Sequence, residues 1–241
     1  RNLPTVFRTC GRDDQQGEVA GDFVATKLKP KAVAVIHDKT TYGQGLADAT
    51  KSRLNKKHKI KEVLYEGINK GDKDFNSLVT KMKGLKVDVI YFGGYHVEAG
   101  LIVRQAFDQG LKAKFVSGAA LVTDEFSQVV GKVDAGAGVL MTFDADPRKK
   151  PSAKAVVEKF KAKNYDPEGY TLLTYAAVQA AAETLKANGA TRDGKKLGGW
   201  LKQNAVDTIV GKKEWDAKGD LKVSDYVVYV WKVKDGKLMY E

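Results

Sequence analysis

Five short apolar runs, separated by stretches with helical spacing, constrain this chain more than any other feature. The run Ala32-Val33-Ala34-Val35-Ile36-His37 has no polar alternation, and neither has Val89-Ile90-Tyr91-Phe92 within the run at 87–92. Strands of this kind bury both faces, as parallel strands do when helices cover the sheet on each side. The other strands are expected over 61–65, 114–116 and 137–143. Between them, helices are expected over 45–54, from Phe75 behind Asp72 or Asp74 as N-cap, over 97–107 with Gly110 just past its end, and from Thr123. An earlier helix over 14–28 should stop before Pro30. Gly93-Gly94 closes the third strand. Strict alternation of strand and helix predicts an α/β fold with a doubly wound parallel sheet, spanning residues 9–142 as one lobe.

The remainder is patterned differently. Asp144-Ala145-Asp146-Pro147, with Pro151 behind it, reads as a linker. Helices are expected over 153–163, 170–187 (ended by Gly189) and 198–203. A short strand is expected at Thr208-Ile209-Val210, then a hairpin of 226–233 and 237–240 around Asp235-Gly236. Three amphipathic helices with one short strand have no sheet of their own to cover. Either they dock on the first lobe, or residues 143–225 are part of a second α/β lobe whose first half precedes Arg1. The second alternative is preferred, because the first lobe already has its own helices.

Composition narrows function mainly by exclusion. The 241 residues carry a formal charge of +11, from 41 Lys and Arg against 30 Asp and Glu. The lysines are scattered along helix ends and polar faces. The densest run, Lys56-Lys57-His58-Lys59, has no aromatic neighbour, so no nucleic-acid partner is expected. No apolar run approaches the ~20 residues of a membrane span. The single cysteine, Cys10, cannot form a disulfide within the chain. Arg1 is neither an initiator Met nor the start of a signal peptide, so the amino terminus reads as processed or cut.

Catalytic patterns are weak. His37, His58 and His96 lack metal-site spacing, Asp13-Asp14 suits a helix start, and Gly43-Gln44-Gly45 is too short for a dinucleotide fingerprint. No enzyme activity, metal or cofactor is expected. Ligands of doubly wound sheets bind beyond the carboxyl ends of the strands. There the sequence places His37 to Gly45, Gly93-Gly94-Tyr95-His96 and Ser117-Gly118-Ala119-Ala120. Tyr42 and Tyr95 are either ligand-facing there or ordinary loop aromatics.

The motifs at these loops carry a resemblance. They are Arg8-Thr9-Cys10-Gly11-Arg12-Asp13-Asp14-Gln15-Gln16-Gly17, Ile36-His37-Asp38-Lys39-Thr40-Thr41-Tyr42-Gly43-Gln44-Gly45, Tyr91-Phe92-Gly93-Gly94-Tyr95, Leu173-Thr174-Tyr175-Ala176-Ala177-Val178-Gln179 and Trp215-Asp216-Ala217-Lys218-Gly219-Asp220. Together they resemble the periplasmic leucine/isoleucine/valine-binding proteins, the type I solute-binding proteins of ABC importers, and the likeness runs from Arg1 to the end.

The resemblance implies the type I periplasmic-binding-protein fold, with two α/β lobes joined by three crossing strands and closing by a hinge over an amino acid. It implies that 9–142 is a complete lobe joined by the C-terminal strands at 226–241, and that 143–225 is a partial lobe lacking its N-terminal half. In the family that half supplies main-chain and hydroxyl contacts to the ligand carboxylate. By motif, Tyr42 would flank the ligand, Tyr95 would contact its ammonium end and Tyr170 would approach its side chain. Ala119 stands where the family carries an acidic residue that pairs with the ammonium. Glu98 is the nearest substitute in sequence, though a solvated helix face is its expected place.

The implied function is capture of a branched-chain amino acid or related small molecule in an interlobe cleft. The implied partners are a membrane permease and, for the missing half-lobe, a complementing chain; the implied location is the periplasm. The alternative is a ligand-sensing receptor or regulator module, or an engineered sensor fragment of the same fold.

Overall fold

The computed structural model describes residues 3–241; Arg1, on which the reading of a processed terminus rests, lies outside them. In chain order the elements are α1 (Asp13–Phe23), β1 (Val33–His37), α2 (Thr41–His58), β2 (Leu64–Gly67), α3 (Asn76–Gly84) and β3 (Val89–Gly93). There follow α4 (His96–Asp108), β4 (Lys114–Ser117), α5 (Asp124–Val130), α6 (Val133–Gly136) and β5 (Leu140–Asp144). The chain ends with α7 (Lys154–Lys161), α8 (Thr171–Ala187), α9 (Gly194–Gln203), β6 (Val206–Thr208), β7 (Gly211–Lys213), β8 (Tyr226–Lys234) and β9 (Lys237–Tyr240). They group into two compact units. The larger is Asp13–Phe143 with Tyr226–Glu241; the smaller is Asp144–Asp225 with the described residues up to Arg12.

The larger unit holds a seven-stranded sheet in the order β2-β1-β3-β4-β5-β8-β9. β1 pairs in parallel with β2 and β3, β3 with β4, and β4 with β5. The α/β, mostly parallel reading therefore holds. Every residue of β1 and β3 is buried. One face carries Val33, Val35, Val89, Tyr91 and Val116, in one cluster with Ala20 and Val24 near α1 and Leu46, Ala47 and Leu54 of α2. Strand alternation turns Ala34, Ile36, Ile90 and Phe92 to the opposite face. Two glycines let α1 lie close on α2: a Cβ at Gly17 would sit 2.6 Å from Ala49 Cβ, and one at Gly21 would sit 2.8 Å from Arg53 Cβ.

Local chemistry moves several boundaries. The helix expected over 14–28 is α-helical only to Phe23, then takes a π-helical turn from Val24 to Leu28. Ala20 and Val24 are buried in the cluster that Ala25 and Leu28 pack against. Asp74 caps α3 by accepting the Asn76 N–H at 2.9 Å, from one residue before the N-cap position of Phe75. Asp72 instead closes its own turn on the Asn69 N–H. The helix expected from residue 198 begins at Gly194, because the Asp193 carboxylate accepts the N–H groups of Lys195 and Lys196. Ile209-Val210 is no strand but the turn between β6 and β7, with Gly211 at φ +92°. Asp235 and Gly236, at φ +50° and +72°, form the tight turn of the β8–β9 hairpin.

The smaller unit packs Ala180, Val206, Trp215 and Leu221 with Phe7, Trp200 and Leu201. Its amino-terminal segment is tied in at several points. Trp215 Nε1 donates to the Arg8 carbonyl at 2.7 Å, Arg8 Nε donates to Asp220 at 2.7 Å, and the Thr9 hydroxyl donates to the Leu173 carbonyl. These bonds place Thr9 to Arg12 with this unit, whereas the sequence pattern grouped them with the sheet. Its own sheet is the antiparallel pair β6–β7. Along α8, Tyr175, Val178 and Leu185 stay exposed, Val178 at 66%.

On the larger unit, Asp22 joins α1 to α2. Arg53 donates to its two carboxylate oxygens at 2.8 Å each, His58 lies 2.6 Å away and Lys57 3.0 Å. The Arg53 guanidinium, helped by His58 and Lys57 and opposed by burial, holds this carboxyl far below the usual carboxylate range. A carboxylate depressed in the folded state contributes stability that is full above its unfolded pKa of about 3.9 and is lost as pH falls through the lower folded value. Asp22→Asn should therefore lower the urea midpoint at neutral pH by an amount that stays constant down to about pH 5 and shrinks in stronger acid. A gap that does not change with pH would rule out ion pairing as its source.

Candidate functional site

After β1 the chain steps outward to β2, then returns across β1 to lay down β3. Loops leaving β1 and β3 thus diverge to opposite faces, and a crevice opens between them at the carboxyl edge. The backbone there is fastened by the Asp38 N–H donating to the Gly93 carbonyl at 3.0 Å. Asp38 is buried, and its Oδ1 accepts the Thr40 N–H at 3.0 Å and hydroxyl at 2.6 Å. Thr40 Oγ1 in turn accepts the Gly43 N–H and so caps α2. His37 accepts the Lys39 N–H at Nδ1, and burial pushes its pKa down, so the imidazole is neutral at pH 7. Its role is to shape this turn.

The crevice brings Tyr42 and Tyr95 together, their ring centroids 5.3 Å apart at a 43° tilt. Tyr42 sits in the first turn of α2, and Tyr95 is the N-cap residue of α4. Next along the sheet, Gly118 follows β4. A Cβ there would lie 3.1 Å from the Tyr42 hydroxyl and 3.2 Å from Gln16 Oε1, so the missing side chain leaves those two polar groups their space. Ala119 opens the following short turn, is 4% exposed and brings no charge. Tyr170 belongs to the smaller unit, half-exposed at the start of α8. There it lines a groove of about 720 Å³ with Phe160, Thr174, Tyr175 and Val178.

Glu98 is not on a solvated face. It is 2% exposed, and its Oε1 accepts the Gly71 N–H at 2.9 Å, while Oε2 is buried without a hydrogen bond. Its place on α4 turns it inward beneath the loop that follows β2. Two neighbours escaped sequence reasoning. Gln16 of α1 is 1% exposed and donates from Nε2 to the Thr142 carbonyl at 2.7 Å, leaving Oε1 at the crevice. Lys70, in the loop after β2, holds Nζ 4.5 Å from the centre of the Tyr95 ring. Gln16 lies in the Arg8–Gly17 motif, which gives it no role by itself, and no local motif marks Lys70, whereas Asp38-Lys39-Thr40 carries recognisable turn-and-cap spacing.

The edge depends on backbone meeting backbone. A Cβ at Gly43 would fall 2.5 Å from the Gly93 carbonyl oxygen and 2.2 Å from Asp38 Oδ1; a Cβ at Gly93 would fall 2.0 Å from the Gly43 oxygen. Gly45, two residues further in α2, has open space around it. Gly43→Ala should cost about 1–3 kcal/mol in urea unfolding, since carbonyls fixed in a sheet and a helix cannot yield. Gly45→Ala should instead gain roughly 0.5–1 kcal/mol from helix propensity. Equal effects of the two substitutions would contradict the close approach.

Known proteins share this architecture. A family model described as periplasmic binding protein matches residues 2–237. An amino acid binding protein of Pseudomonas aeruginosa is 58% identical over 231 residues, covering 96% of this chain and 61% of the relative. The Leu/Ile/Val-binding protein homolog 1 of Brucella abortus is 47% identical over 241 residues, covering 100% of this chain and 64% of the relative. The crystal structure of a leucine binding protein, LivK, from Thermotoga maritima superposes with a TM-score of 0.88 at 26% identity, over 100% of this chain and 68% of that one. The chain thus spans 61–64% of the length of these two curated relatives. With a family model matched along nearly its whole length and a fold shared with solved members, the chain belongs to the periplasmic binding proteins.

Proposed function

We propose that this chain is the greater part of a solute-binding protein that captures a branched-chain aliphatic amino acid or a related small molecule for an ABC importer. The observation that carries the reading is the tyrosine pair at the β1–β3 reversal, the place where open α/β sheets bind ligands. Relatives named for amino acids and for Leu, Ile and Val support the ligand class. In this reading Tyr42 and Tyr95 wall the ligand on the larger unit, and the turn at Ala119 sits beside its polar end. The tyrosines suit an aliphatic solute, offering flat apolar faces, with the Tyr42 hydroxyl buried beside Gly118. The protein works in the periplasm, hands its ligand to a membrane permease, and performs no chemistry on it.

The smaller unit is, in the same reading, part of a second α/β lobe. The exposed face of α8 supports this: Tyr175, Val178 and the groove beside Phe160 form an apolar surface of the kind a sheet covers. The length by which the curated relatives exceed this chain supplies that sheet, from the same polypeptide or from a complementing chain.

Titration calorimetry with leucine, isoleucine, valine and their uncharged analogues tests the proposal, and saturable binding of at least one is expected. Silence from the whole panel would refute capture of the amino acids themselves. Tyr42→Ala and Tyr95→Ala should each weaken that binding by about 1–3 kcal/mol, the loss of one aromatic wall, without changing the unfolding midpoint by as much. Ala119→Asp should strengthen binding of the amino acids by about tenfold or more relative to the uncharged analogues, because a buried ammonium needs an anionic partner.

A further inference from the structure

The loop after β2 delivers a cation to the tyrosine pair. Lys39 Nζ donates to Asn69 Oδ1 at 2.8 Å, the Asn69 N–H donates to Asp72, and the Asp72 N–H returns to the Asn69 carbonyl at 3.2 Å. Gly71 takes φ +93°, and its N–H is held by the buried Glu98 at 2.9 Å. Lys70 lies within this closed turn, and its ammonium rests 4.5 Å from the centre of the Tyr95 ring. Tyr95 in turn packs on Tyr42.

The charges that a ligand can touch here are unequal. Lys70 is exposed and, among the described residues, makes no ion pair. The unpaired oxygens of Asp38 and Glu98 are buried. Glu125, exposed, faces His96 at 3.5 Å. Ala119 adds no carboxylate. A cation already on an aromatic face repels a second cation brought to the same ring and attracts an anion.

We infer that Lys70 sets the charge preference of the Tyr42–Tyr95 site, turning it toward ligands whose polar end is a carboxylate without a neighbouring ammonium, such as branched-chain 2-oxo acids. This rests on the proposed solute-binding reading and narrows its "related small molecule" to one chemical class.

The test compares leucine with its 2-oxo acid, 4-methyl-2-oxopentanoate, by calorimetry on the wild-type chain, Lys70→Ala and Lys70→Arg. The wild type should prefer the 2-oxo acid. Lys70→Ala should move the ratio of the two dissociation constants toward leucine by about fivefold to tenfold, the scale of one partly solvated charge, and Lys70→Arg should restore it. Added salt should shrink the shift. A merely structural role would weaken both probes alike and leave the ratio unchanged. A wild type that prefers leucine, or an unchanged ratio with binding intact, overturns the inference while leaving the solute-binding reading standing. Silence of the wild type toward both probes and toward isoleucine and valine overturns both.

Discussion

A parallel strand buried on both sides has nowhere to place a polar side chain, and this constraint organises the larger unit. β1 and β3 bury every residue, so helices must lie over each face and the chain must cross from one face to the other. The crossing happens once between neighbouring strands, where β1 leads out to β2 and the chain returns to β3. Polar groups that have no room inside the sheet accumulate at that edge: His37, Asp38, Thr40, Ser117 and the hydroxyl of Tyr42. They are ordered by backbone contacts, the Asp38 N–H on the Gly93 carbonyl and the glycine pair that lets α2 start against the end of β3. The candidate site is the place where the fold's apolar rule is suspended.

The smaller unit solves its packing differently. It has two short strands and a cluster around Trp215, so hydrogen bonds from the amino-terminal segment carry much of the organisation. The Trp215 indole and the Arg8–Asp220 pair fasten Arg8 at both its backbone and its side chain. Gly219, at φ +84°, admits the Val6 carbonyl to a point 2.0 Å from where a Cβ would stand. α8 meanwhile buries Leu172, Leu173, Ala176 and Ala180 on one side and leaves Tyr175 and Val178 on another. An apolar stripe wider than its local cover is the mark of a helix patterned for a larger core.

What the sequence discloses follows how local its determinants are. The strands were legible because continuous β-branched and aromatic runs bounded by glycine have few other uses, and Gly110 and Gly189 ended helices through their own left-handed backbone. Tyr42 and Tyr95 could be named because they follow strands and bear on a recognisable motif. The π turn at Val24 could not, since the apolar spacing of Ala20, Val24 and Leu28 is that of an ordinary helix. Glu98 read as solvated because a charged residue in a first turn usually is, and only the loop folded over it, through Gly71, buries it. Gln16 and Lys70 depend on neighbours more than twenty residues away in sequence.

The excess of positive charge acquires a similar local meaning. Lys57 serves Asp22, Lys81 pairs with Glu66, Lys132 with Asp108 and Lys222 with Glu214. Lys51 lies 3.8 Å from the centre of the Tyr65 ring, whose hydroxyl donates to Asp48 at 2.6 Å. Solvated pairs of this kind contribute little to stability, so a formal charge of +11 spread among them argues for neither affinity nor fold. A single lysine gains leverage when an ordered loop fixes it on an aromatic ring and it makes no ion pair. Lys70 meets both conditions among the described residues, the Asp72 carboxylate of its own turn being engaged by the Asn69 N–H. Net charge is therefore the wrong quantity from which to judge what this surface attracts; the position of one ammonium relative to one ring decides more.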